Sequence, residues 1–314
     1  MVQNTKRKPA MKNAALSERF PVSRIMRILH RTEYTYDRQI VLNPHQLMLR
    51  PRDGHDLWVD DAFLTIRPQA QLRWYFDTFG NSIAEATFQE TSDSLLVESE
   101  LLLRRYVTDF LSRQAGPHIC PYPFDYSDDD ARDLYPYLGL ENPQDIDILD
   151  QWLDTHFVDR PNSAFLFLQS LSHSIHRGLG YSSREEMGTQ SAAETITKGL
   201  GTCRDFAFLF MEAARKFGFA ARFVTGYLND SAGGPDPPVG GGATHAWADV
   251  FVPGEGWIEF DPTNRITGGS ALIRVATTRK PSQASPISGS FDGTEAVCLG
   301  LTVSVDVREV EDAT

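Results

Sequence analysis

The sequence predicts an α+β protein, in which an antiparallel β domain precedes a core built on one buried helix and an antiparallel hairpin. Three observations carry that expectation. Residues 24–106 mix strand formers with turn residues, residues 143–217 read as helices, and residues 244–261 return to strand around Pro253-Gly254-Glu255-Gly256. Runs of strands followed by runs of helices are the pattern of segregated α+β organisation.

The bulk properties narrow the class. At 314 residues the chain has room for two or three domains, and 41% hydrophobic with 11% aromatic content supplies a sizeable core. A net charge of −12 argues against nucleic acid as a partner and against an anionic membrane surface. Cys120, Cys203 and Cys298 are odd in number and far apart, without CxxC or metal-ligand spacing. Neither a disulfide framework nor a zinc site is expected, and a reducing cytoplasm fits. No segment approaches the ~18 apolar residues of a membrane span. The chain is therefore expected to be soluble and cytoplasmic. Nothing in it specifies an oligomeric state.

Residues 1–23, with Lys6, Arg7, Lys8 and Lys12 but no signal-length apolar run, read as a disordered tail. Residues 24–107 form the expected β domain. Ile25–His30, Gln46–Arg50, Asp61–Ile66 and Leu95–Val97 are its strands, punctuated by Pro51, Gly54, Pro68 and Gly80. Tyr34, Tyr36, Trp74 and Phe76 are expected as core or interdomain contacts; His30, His45 and His55 as structural or exposed residues. The acidic cluster at Asp125 and Asp128–Asp130 lacks EF-hand spacing and reads as a solvated loop or helix start. Helices over 143–157 and 163–177 follow, and His173 and His176 on the second read as surface or interhelical residues. Ser191 with Glu194 is a capping box opening a short helix that stops at Gly199.

That helix delivers the chain into Gly201-Thr202-Cys203-Arg204-Asp205. Thr202 and Asp205 make a second capping box, which places Cys203 in a first turn where backbone N–H groups lack intrahelical partners. Phe206, Phe210, Ala213 and Phe217 share one face, and Ala207, Phe208, Leu209, Met211 and Ala214 fill most of the rest. Glu212, Arg215 and Lys216 lie toward the far end, before a terminating Gly218. A helix apolar nearly all round is buried on all sides. The dipole at its N-terminus favours a thiolate, which can bring a cysteine from ~8.5 down to roughly 3.5–7.5. A small buried hydrophobe is the alternative reading of a lone cysteine.

Partners for the thiol come next in the chain. Residues 220–228 read as a strand leaving the core, and residues 229–243, rich in Gly and Pro, as a loop that is either a lid or a long connection. Thr244–Val252 and Trp257–Asp261 then form a hairpin. With Val252 facing about Trp257, His245 falls within a few residues of Asp261, and a bulge would close the difference. Asp261 would fix the imidazole tautomer and leave the other nitrogen for the thiol. Cysteine on a helix tip, histidine on one strand and aspartate on the next form a nucleophile, base and orienter set.

Four blocks now point to a family. Gly201-Thr202-Cys203-Arg204-Asp205-Phe206-Ala207, Ala221–Tyr227, His245-Ala246-Trp247 and Trp257-Ile258-Glu259-Phe260-Asp261-Pro262-Thr263-Asn264 closely resemble the bacterial transglutaminase-like proteins. His30–Tyr36 and Leu49-Arg50-Pro51-Arg52 resemble that family's amino-terminal β domain. The resemblance spans about 24–273 and implies a papain-like transglutaminase core. It also implies roles for Cys203 as nucleophile, His245 as general base then acid, and Asp261 as orienter. Arg204 and Phe208 depart from the Gln and His of many relatives, and Arg204 adds a cation beside the thiol. Thr278-Arg279-Lys280-Pro281-Ser282 replaces an acidic and aromatic stretch frequent in relatives.

The implied substrate is a protein or peptide carboxamide or amide carbonyl, taken through a Cys203 thioester to an amine or to water. A cysteine protease or amidase, and a non-catalytic peptide-binding or scaffold module, are the alternatives. No cofactor and no metal are expected. The backbone N–H of Cys203 is expected to donate to the oxyanion. Tyr181 is the candidate second donor, with core packing as its alternative. Arg204, Trp247 and Trp257 are candidates for the substrate cleft, although buried packing is the preferred reading of both tryptophans. Residues 108–267 are the expected catalytic core with its helical lead-in. Residues 268–314 are expected to add strands that pack on that core and to end in a frayed acidic tail.

Overall fold

The computed structural model describes residues 23–106, 120–184, 188–229, 239–269 and 271–310. The expected tail, the ends of the chain and most of the loop over 229–243 lie outside the described residues. The β region contains β1 (Ser23–Leu42), β2 (His45–Arg50), β3 (Leu57–Arg67), β4 (Ala70–Phe76), β5 (Ser82–Phe88) and β6 (Thr91–Tyr106). The helical part holds α1 (Asp128–Leu134), α2 (Ile146–His156), α3 (Ala164–Gly178), α4 (Ala192–Lys198) and α5 (Cys203–Lys216), with two-residue strands β7 (Gly180–Tyr181) and β8 (Leu200–Gly201) between them. The last part holds β9 (Ala221–Leu228), β10 (His245–Val252), β11 (Gly256–Asp261), β12 (Ile266–Thr267), β13 (Leu272–Thr278), β14 (Ile287–Ser288), β15 (Phe291–Asp292) and β16 (Cys298–Val310).

The long antiparallel pair β1–β6 organises the β region. Alternation along β6 buries Leu95, Val97, Ser99, Leu101, Leu103 and Arg105 on one face. At one end of that pair, Tyr36, Ile40, Leu42, Leu95 and Val97 pack on a second sheet, of order β14-β2-β5-β4, through Leu47, Leu49, Ala84 and Ala86. Toward its other end, Met26, Ile28, Leu101 and Leu103 pack on Tyr227, Ile273 and Val275 of the core sheet. One face of a single ribbon thus holds both the second β layer and the core. His30 sits at that junction, buried, with Nδ1 3.1 Å from Tyr227 Oη and Nε2 3.0 Å from Thr32 Oγ1. Burial pushes its imidazole down to about 4.

The core sheet is antiparallel, of order β12-β11-β10-β9-β13. Helix α5 packs on it through Phe206, Phe210 and Ala213 against Ala246, Ala248, Val250 and Phe260, and Leu153 of α2 and Phe167 and Leu171 of α3 join the same core. Every residue from Asp205 to Arg215 is buried, as an all-round apolar helix requires. Glu212 and Arg215 are buried with the rest. Glu212 accepts the backbone N–H groups of Glu141 and Asn142 at 3.1 and 3.0 Å, and Arg215 lies 3.4 Å from it. Arg215 also donates to the carbonyls of Ala221 and Arg279, tying the helix end to the sheet.

Two expectations are corrected. The segment after 268 does not pack on the core as a unit. Only β13 joins the core sheet, whereas β14 pairs with β2, and β15 and β16 pair with β1. Val305 and Val307 meet the apolar face of β1, and this partner, some 280 residues away in sequence, is invisible to local pattern. Trp74 and Phe76 are 48% and 69% exposed rather than core, because β4 is an edge strand with no fully buried residue on either face. Tyr36 is buried and Tyr34 packs beside it, as expected.

Candidate active site

The cysteine turn is built from two short features. Parallel pairing of β7 with β8 sets Tyr181 against Gly201, and Ser182 N–H donates to Gly201 O at 3.0 Å. A Cβ on Gly201 would lie 3.0 Å from both Asp205 Cβ and Phe206 Cε1, so glycine lets the chain enter the helix tightly. Asp205 Oδ2 then accepts Thr202 N–H and the Thr202 hydroxyl, each at 2.8 Å. The same carboxylate takes Arg184 at 2.7 Å and Gln190 N–H at 2.8 Å. Burial works against its ionisation, but Arg184 and the donors from Thr202 and Gln190 hold it below the usual carboxylate range. The cap is therefore a fully buried anion that locks the turn bearing Cys203.

The hairpin supplies the other two groups through its register. Pro253 and Gly254 (φ 83°) turn the chain, Glu255 N–H donates to Val252 O at 3.0 Å, and Gly256 (φ 79°) follows. Val252 consequently pairs with Gly256, and Ala248 with Phe260. The expected pairing of Val252 with Trp257 is off by one, and one residue decides the chemistry because a slip flips every side chain. In the observed register Asp261 shares a face with Trp247 and His245, as a diagonal neighbour of the histidine. No bulge is needed. His245 Nε2 donates to Asp261 Oδ2 at 2.8 Å, and the two residues are 1% and 0% exposed.

Asp261 is fully engaged. Its Oδ1 accepts the N–H of Thr263 at 2.8 Å and of Asn264 at 3.3 Å, and Asn264 Nδ2 donates to Oδ2 at 2.9 Å. Burial raises its proton affinity, yet His245 and these donors lower it on balance. The carboxylate is thus ionised and Nε2 carries the proton. For His245, burial opposes the charged form, but the Asp261 charge and then the Cys203 thiolate overcome it, raising the imidazole to about 10. Its Nδ1 is buried and closes no hydrogen bond among the described residues. Catalytic contacts of this kind are commonly loose before substrate binds.

The remaining expected site residues divide. Tyr181 lies at the site, its phenol raised by burial and by the Cys203 charge, with Arg204 as a further charged neighbour. The tyrosine is 37% exposed and sets its ring edge against Phe206. For Trp247 the cleft reading is corrected and the preferred reading of buried packing holds. It is 0% exposed, stacks on His245 at 6.2 Å and packs on Val224, Leu228 and Leu272, so it backs the histidine and offers substrate no surface. Trp257 is also corrected, since it lies at the hairpin's other end under Arg222. There it lines a cavity of about 580 Å3 between the β region and the core, whose walls include Arg52, Arg105, Glu259 and Arg274 but none of Cys203, His245 and Asp261. Asn264 and Gly240 also belong to the site, at 2.9 Å from Asp261 Oδ2 and against the His245 ring. The run Asp-Pro-Thr-Asn is an Asx-turn signature, which was the available signal for the first.

Comparison with known proteins agrees with this architecture. Residues 26–104 match the bacterial transglutaminase-like N-terminal region, and residues 155–262 match the transglutaminase-like superfamily. Uncharacterized proteins of Mycobacterium tuberculosis and Mycobacterium bovis are each 27% identical over 299 residues, covering 91% of this chain and 93% of theirs. The crystal structure of a putative cysteine protease from Cytophaga hutchinsonii superposes with a TM-score of 0.65 at 19% identity, covering 92% of this chain and 94% of that one. That likeness is one of fold. Among the described residues, no helix is long and apolar enough to cross a membrane.

Proposed function

The chain joins a bacterial transglutaminase-like N-terminal region to a transglutaminase-like core, and on that basis we propose that it is a thiol acyl-transfer enzyme acting on protein or peptide carboxamides and amides. The observation that carries this reading is the buried His245–Asp261 pair at 2.8 Å, with the free imidazole nitrogen on the side of Cys203. A charged pair hidden from water needs a reason, because desolvation costs several kcal/mol per ion. Holding an imidazolium beside a thiolate supplies one.

In the proposed reaction the Cys203 thiolate attacks the carbonyl carbon, and the carbonyl π electrons move to oxygen. The oxyanion meets the N–H of Cys203, which as the first residue of α5 has no intrahelical acceptor, and the Tyr181 hydroxyl is the second candidate. On collapse the C–N bond breaks and the Nδ1 proton of His245 goes to the leaving nitrogen, leaving a thioester. Nδ1 then takes a proton from an incoming amine or water, which attacks the thioester and expels the thiolate. Arg204 occupies the second position of the helix, and its charge acts on Tyr181.

Product analysis decides between the two acceptors. A glutamine-containing peptide is incubated with the protein, with and without a primary amine. Incorporation of the amine identifies transamidation, while amine-independent deamidation or cleavage identifies hydrolysis. No turnover on a broad peptide panel, with Cys203 no more reactive than Cys120 or Cys298, would leave a binding module instead.

A further inference from the structure

Asn264 touches two things at once. Its Nδ2 donates to Asp261 Oδ2 at 2.9 Å and to Val239 O at 3.1 Å, while its Oδ1 accepts Val239 N–H at 2.7 Å. Val239 leads into Gly240, which adopts φ 91° and lies directly on the histidine. A Cβ at Gly240 would stand 3.1 Å from His245 Nδ1 and 3.7 Å from Tyr181 Oη. Two residues on, Gly242 O accepts Val305 N–H of β16 at 2.8 Å. The short strap over 239–242 is therefore fastened at one end by a side chain that also holds the aspartate, and at the other by the strand returning to the β region.

We propose that Asn264 is a positioning residue that fastens Asp261 and the Val239–Gly240 strap into one unit around His245, keeping Nδ1 aimed at Cys203 and out of water. The proposal rests on the cysteine-enzyme reading above. The residue type follows from the geometry. One planar group must donate to a carboxylate and a carbonyl while accepting a backbone N–H, which a carboxamide does and neither a carboxylate nor a hydroxyl of that length does. Glycine at 240 follows as well, because any side chain there would press on the ring that moves the proton.

The test is the pH profile of Cys203 alkylation by iodoacetamide, read by intact mass with peptide mapping, in wild type, Asn264→Ala and Gly240→Ala. Unfolding midpoints are recorded in parallel. Wild type is expected to label Cys203 rapidly at pH 6, ahead of Cys120 and Cys298. Loss of a charge-assisted hydrogen bond should slow Asn264→Ala about 10-fold at pH 6. At pH 9, where the thiolate no longer needs its partner, the rates should converge. Gly240→Ala should show the same displaced profile, and it decides the matter alone if Asn264→Ala does not fold. Profiles superimposable on wild type, or slowed equally at all pH values, would overturn the positioning role. Wild-type labelling no faster at Cys203 than at the other two cysteines would overturn the cysteine-enzyme reading instead.

Discussion

Asp261→Asn keeps the shape of the orienter and removes its charge. In the native site that charge is the largest influence raising His245, set against burial, which lowers it. Without it burial is opposed by the Cys203 contributions alone, and the imidazole falls from about 10 towards its ordinary 6.5. At pH 7 a group at 6.5 is only about one-quarter protonated, so most of the imidazolium that faces the thiolate disappears. An unassisted cysteine near ~8.5 is about 3% thiolate at pH 7, so complete loss of the ion pair slows alkylation roughly 30-fold. Turnover should suffer more, by about 10^3 to 10^4, because an asparagine amide can also impose the wrong tautomer. The assay is iodoacetamide labelling of Cys203 from pH 5 to 10. The wild-type rate should stay high below pH 7, while the variant should follow a simple thiol curve and rejoin wild type above pH 9. A variant rate at pH 7 within threefold of wild type would refute the electrostatic argument.

Three further outcomes follow from the packing. Glu212→Ala leaves Arg215 and the N–H groups of Glu141 and Asn142 short of their buried acceptor, with Glu141 at 3.7 Å as partial compensation. It should lower stability by about 3 kcal/mol, measured as a fall in the urea midpoint at constant slope. His30 binds its proton at about 4 when folded and at 6.5 when unfolded, so the unfolded chain holds more protons between those values. Stability should therefore fall as pH drops through that window, by up to about 1.4 kcal/mol per pH unit, and His30→Gln should flatten the dependence. Gly226→Ala would set a Cβ 2.1 Å from Ile273 O and 2.8 Å from Trp247 Cη2. That crowding should cost about 1–3 kcal/mol in thermal unfolding and slow Cys203 labelling by displacing the ring that backs His245.

Much of the site was legible because its chemistry is local. The cap before Cys203, the turn after Val252 and the Asp-Pro-Thr-Asn run each fix a short piece of backbone from neighbouring residues. What escaped depended on distant partners or on parity. The cap Asp205 is a buried anion because Arg184 reaches it across 21 residues. Glu212 and Arg215 looked like the charged end of a core helix, yet backbone donors from 141–142 and carbonyls from 221 and 279 make their burial tolerable. The hairpin shows how narrow the margin is. Trp257 for Gly256 opposite Val252 is a one-residue error, and it alone separates an aspartate that needs a bulge from one already on the histidine's face. The C-terminal strands were readable as strands but not in their destination, since a strand's own alternation does not say which sheet edge it will close.

A covalent intermediate at Cys203 is the central requirement of thiol acyl transfer in this protein. Wild type and Cys203→Ala are mixed with a glutamine-containing peptide in the absence of amine, quenched in acid within the first turnover, and examined by intact mass. The expected result is an adduct of the peptide mass less ammonia on wild type, lost on brief treatment with hydroxylamine and missing from Cys203→Ala. No adduct across a peptide panel, or the same adduct on Cys203→Ala, would contradict it.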